Sequence, residues 1–84
     1  MKLSEDLQKK INRPYEPSAM VPLRYRNNDL VLRTDEEGRA IQMFIGKADE
    51  EGRIRGDRYA RTIVRDREGK VIKDYWERKG KSTP

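Results

Sequence analysis

The residues best suited to do chemistry lie in one stretch, Arg53 to Trp76. Arg53, Arg55, Arg58, Arg61, Arg65, Lys70 and Lys73 supply positive charge there. Tyr59, Tyr75 and Trp76 interleave aromatic rings with that charge. Cations for phosphates beside rings for bases are what small β modules use to hold nucleic acid. Lys79 and Lys81 extend the track. The same residue types also serve a solvated strand, where Arg and Lys discourage edge-to-edge aggregation, and a lone Trp commonly closes a small core.

Catalysis finds little to work with. The chain has no Cys and no His, so the common nucleophile–base pairs and zinc sets are missing. Ser4, Ser18 and Ser82 fall outside the segments that pattern as the body of the sheet. Asp35, Glu36, Glu37, Asp49, Glu50, Glu51, Asp66 and Glu68 sit in turns, where no pocket shifts a carboxylate toward acid–base work. Those turns are also too short to spread the ligands of a twelve-residue calcium loop. The reading is therefore of a protein that is not an enzyme, with no cofactor and no metal.

Charge is distributed unevenly. Residues 1–52 carry 9 Lys/Arg against 10 Asp/Glu, and residues 53–84 carry 11 against 5. A net +6 on the second half points to an anionic partner or to an uneven solvated surface. No apolar run is long enough to span a membrane and no apolar segment follows Met1, which places the expected location in the cytoplasm.

The elements that must position these residues follow from pattern. Asp35-Glu-Glu-Gly38-Arg39, Asp49-Glu-Glu-Gly52-Arg53 and Asp66-Arg-Glu-Gly69-Lys70 repeat one device. Asp bonds the backbone two residues on, a type I turn follows, and Gly takes the left-handed position before the next strand. Strands are predicted over 39–47, 53–65 and 70–77. An earlier hairpin is predicted from Leu23–Arg26, a turn at Asn27–Asp29 and Leu30–Arg33. Gly56 reads as a bulge or kink that redirects the long strand. If Ala60, Thr62 and Val64 face the core, Tyr59, Arg61 and Arg65 face outward.

Leu3, Leu7 and Ile11 recur on one face of a short amphipathic helix, capped by Ser4 and stopped by Pro14. Pro14, Pro17 and Pro22 mark an extended linker after it. The expected organisation is an N-terminal arm over 1–22, an antiparallel β domain over 23–78 and a disordered basic tail over 79–84. The expected fold is mainly β: an antiparallel meander of about five strands, as a strongly bent sheet or an SH3-like barrel, with a short N-terminal helix or disordered arm.

Two functions fit this organisation. One is a protein-interaction module, self-association included, acting through the edge strand Leu23–Arg26 or the Leu3–Leu7–Ile11 helix face. The other is nucleic-acid binding through the basic hairpin.

Overall fold

The structure, a computed structural model, describes residues 3–82. Five antiparallel strands follow one helix in the order of the sequence: α1 (Glu5–Ile11), β1 (Met20–Tyr25), β2 (Asn28–Thr34), β3 (Ala40–Ala48), β4 (Ile54–Arg65) and β5 (Val71–Ser82). Each strand pairs with its neighbours in sequence, so β1 and β5 are the two edges of an open sheet. The sheet does not close into a barrel.

Helix α1 explains why an open sheet suffices. Ser4 caps it by accepting from the Leu7 amide at 3.2 Å, with Glu5 and Asp6 in the first turn and Lys9 and Lys10 in the last, as the helix dipole favours. The helix is too short to persist in water by itself. It persists because Leu7 and Ile11 are buried with Leu30, Leu32, Ala40, Met43 and Tyr59. One face of the sheet is thus covered by the helix, and the other is left open.

The linker is anchored through Thr34. Its buried hydroxyl donates to the Glu16 carbonyl at 2.6 Å and accepts from the Ala19 amide at 2.8 Å. The Tyr15 amide donates to the Gly38 carbonyl at 2.9 Å. Strand β1 therefore starts at Met20, earlier than its apolar alternation predicts, and takes in Pro22. Proline fits there because β1 is an edge, where a missing N–H toward solvent breaks no ladder bond.

The first turn is Arg26-Asn27, shorter than the predicted Asn27–Asp29, with Tyr25 opposite Asn28 and Arg26 at φ 56°. The core selects this register. It sets Leu23 opposite Leu30 and Val21 opposite Leu32, whereas the longer turn would set Arg26 opposite Leu30.

The three Asp-x-Glu-Gly turns form as predicted. In each, the Asp carboxylate accepts two backbone amides at 2.9 Å: Glu37 and Arg39, Glu51 and Arg53, Glu68 and Lys70. Gly38, Gly52 and Gly69 take φ of +82°, +82° and +84°.

Gly56 is not a bulge. The β3–β4 register runs unbroken from Gln42 opposite Ala60 to Ala48 opposite Ile54, with Gly46 opposite Gly56. A Cβ on either glycine would lie 2.1 Å from a carbonyl oxygen of the facing strand. The two glycines permit a close backbone approach, and the alternation of β4 is not inverted there. Tyr59 consequently points into the core under α1, and Ala60, Thr62 and Val64 lie on the open face, the reverse of the sequence expectation.

Residues 79–82 are strand, not a disordered tail, and residues 83–84 lie outside the described residues. Gly56, Asp57 and Arg58 need partners on their second side, and Ser82, Lys81 and Gly80 supply them. A bulge at Lys79 absorbs the register change. At the opposite end, β3 pairs with β4 only as far as Ala60. Beyond it, Arg61–Arg65 and Val71–Trp76 pair only with each other. This two-stranded ribbon projects from the sheet and lengthens the molecule to 44 × 26 × 21 Å.

Candidate interaction surface

The structure separates the ten residues singled out in the sequence. Tyr59 is 4% exposed, so its ring is unavailable for stacking. Arg61 grips Asp74 with two hydrogen bonds of 2.6 Å and donates to the Ala40 carbonyl at 3.3 Å. Only 8% of its side chain is exposed, which removes it from any phosphate track. Trp76 lies half-buried against the core, its Nε1 donating to Asn12 Oδ1 at 3.0 Å. The Arg61 guanidinium lies 6.0 Å from its ring centroid. This ring ties the strap after α1 to the last strand.

Arg53 is held by Asp49 at 3.2 Å and Glu51 at 3.5 Å within its own turn. Arg65 donates to the Gly69 carbonyl at 2.9 Å and lies 3.9 Å from Glu37. Arg55 and Arg58 are exposed on opposite faces of β4, and Arg58 donates to the Lys79 carbonyl at 3.5 Å. Lys70, Lys73 and Tyr75 are exposed. Asp57 holds Arg78 at 2.8 Å, and Glu77 holds Lys79 at 2.8 Å. Of the ten, Tyr59, Arg61 and Trp76 are withdrawn from solvent and the other seven are exposed.

What the fold does bring together overlaps the residues singled out in the sequence only at Tyr75. The exposed large apolar side chains are Met20, Val64, Val71, Ile72 and Tyr75. All but Met20 lie on the projecting β4–β5 ribbon. Exposed apolar groups gathered in one region mark interaction surfaces more reliably than scattered ones. The ribbon's outer strand is also a sheet edge. From Val71 to Ser82, β5 pairs only with β4, leaving a row of backbone groups free to pair. The sequence signal was the short apolar run Val71-Ile72, read there only as strand, beside Tyr75, read there as a stacking ring.

The open face carries a second apolar feature. Met20, Val31, Phe44 and Ile54 line a shallow cleft of about 300 Å³. Ile54 is 5% exposed, so this cluster buries part of what the helix leaves uncovered.

Among the described residues, no cluster of acidic side chains could hold a metal ion, and no helix is long and apolar enough to cross a membrane. No family model, curated protein or solved structure matches the chain.

Proposed function

We propose that this chain is a non-enzymatic protein-interaction module that binds an extended segment by strand addition along β5. The observation that carries the reading is the coincidence on one strand of a free backbone edge and exposed apolar side chains, Val71, Ile72 and Tyr75. Main-chain hydrogen bonds supply affinity in this mode, and alternate side chains supply selectivity. The other routes considered from sequence have less support. The Leu7–Ile11 face is spent on the chain's own core. Strand β1, the other edge, is half the length of β5 and carries Pro22.

Nucleic-acid binding through Arg53–Trp76 also has less support. It needs stacking rings and free cations on one surface, and Tyr59, Trp76 and Arg61 are engaged elsewhere.

Capture from cell extract at high salt tests the proposal. Ile72→Lys/Tyr75→Lys alters side chains that are 58% and 47% exposed, so the fold is expected to tolerate it. Lysines along the edge oppose strand addition. A partner held by the wild type should be retained roughly tenfold less by this variant, a loss of about 1.4 kcal/mol. Equal retention by both proteins, or release of the partner by salt alone, contradicts the proposal.

A further inference from the structure

We infer that the strand which β5 accepts is β5 of a second copy, antiparallel, with Tyr75 on the two-fold axis. This rests on the strand-addition reading above and names the partner.

Charge complementarity along the edge selects this partner. When two copies of one strand pair antiparallel about an axis perpendicular to the sheet, residues directly opposite share a face. Their numbers then sum to a fixed even value. With Tyr75 opposite Tyr75, Lys73 faces the second copy's Glu77, and Glu77 faces its Lys73. Asp74 faces Trp76. Two opposite-charge pairs flank an aromatic pair, and no like charges meet.

The neighbouring registers fail. Centring on Asp74 sets two carboxylates face to face. Centring on Trp76 puts on the axis a ring already packed against the core and bonded to Asn12, and sets Tyr75 opposite Glu77. Centring on Lys73 or Glu77 pairs that charge with itself. Like charges directly opposite destabilise a strand pair, and opposite charges and aromatic pairs stabilise it.

The local backbone suits the chosen register. The bulges in the β4–β5 ladder fall at Ile72 and Lys79, so Lys73–Arg78 runs regularly. Lys73, Tyr75 and Glu77 are all exposed. By alternation they share the open face, on which β4 places Val64 beside Lys73 and Thr62 beside Tyr75. Pairing two copies would join two sheets into one of twice the strand number and cover the exposed Tyr75 with its own copy.

The chain's lack of cysteine makes the register directly testable. Cα atoms of opposed antiparallel residues lie about 4.5–5.5 Å apart, within disulfide reach. Under mild oxidation of the full chain, Tyr75→Cys should cross-link to a covalent dimer. Lys73→Cys should not, because its symmetry mate lies four residues along the ladder, about 13 Å away. Sedimentation should show a wild-type dimer whose dissociation constant rises roughly tenfold in Lys73→Glu and returns toward wild type in Lys73→Glu/Glu77→Lys.

Cross-linking at 73 as efficient as at 75, a dimer indifferent to Lys73→Glu, or a monomer at every concentration would overturn the inference. A monomer that nonetheless loses its captured partner in Ile72→Lys/Tyr75→Lys overturns self-pairing alone. A monomer with no edge-dependent partner overturns strand addition as well.

Discussion

Gly46→Ala should lower stability by about 3 kcal/mol or more, and Gly56→Ala by a similar amount. For a domain of this size that is a fall of roughly 12–24 °C in melting temperature. The cause is steric and lies in backbone, which cannot rotate away. A Cβ on Gly46 meets the Arg55 carbonyl oxygen at 2.1 Å and the Gly56 Cα at 2.8 Å. A Cβ on Gly56 meets the Ile45 carbonyl oxygen at 2.1 Å. The strands must part, and the ladder that holds Tyr59 opposite Met43 in the core parts with them. Gly52→Ala is the internal control. Gly52 has φ +82° but no neighbour within 4 Å of an added Cβ, so only the left-handed backbone penalty applies, about 1–2 kcal/mol. Thermal unfolding of the three variants separates the causes. Equal losses at Gly46 and Gly52 would mean that close strand approach contributes nothing.

Arg61→Ala should cost about 2 kcal/mol near neutral pH, more than a surface ion pair is worth. The guanidinium is nearly buried, and its removal takes a donor from the Ala40 carbonyl and two short hydrogen bonds from the partly exposed Asp74 carboxylate. The pair also sits where the ribbon leaves the sheet, beside Trp76. Acid should reveal the same linkage.

The hydrogen bond from Arg61 holds the Asp74 carboxyl below its ordinary value of 3.8, with partial burial opposing it and the Arg61 charge adding to it. A carboxyl whose pKa is depressed in the folded state contributes stability that is full above its unfolded value. That stability is lost as pH falls through the folded value. Asp74→Asn should therefore cost most at neutral pH, and its deficit should shrink as pH drops below 3.8. Urea unfolding of wild type and variant across that range is the check. A deficit constant with pH would show that the charged state of Asp74 is immaterial.

The parts of this fold legible in the sequence are those whose causes are local. Asp35, Asp49 and Asp66 set their turns with hydrogen bonds that reach four residues at most. Ser4 and the Leu7–Ile11 spacing set the helix in the same way. The parts missed have causes that lie across the sheet. Nothing near Gly56 says that Gly46 will face it, so a close approach reads as a kink, and nothing local to β4 says which of its sides the helix will cover.

Lys79-Gly-Lys-Ser82 reads as a polar tail until the unpaired start of β4 claims it. Trp76 and Asn12 stand 64 residues apart, and only the assembled fold makes them partners. The candidate surface shifted for the same reason. Residue types chose the cations and rings of the whole Arg53–Trp76 hairpin, whereas burial and pairing single out β5, with its free edge and exposed apolar groups.

The central claim is that β5 is the binding edge. Backbone hydrogen exchange, read residue by residue, tests it most directly. The chain is compared dilute and then saturated, either with its own copy at high concentration or with the captured partner. Of the amides over Lys73–Glu77, the alternate ones that point away from β4 should exchange rapidly in the dilute state and slow on saturation, while those of β1, Met20–Tyr25, stay unchanged. Protection gained on β1 with β5 unaltered would contradict the account. So would protection confined to the Arg65–Lys70 turn on adding nucleic acid, which would return the function to the basic hairpin.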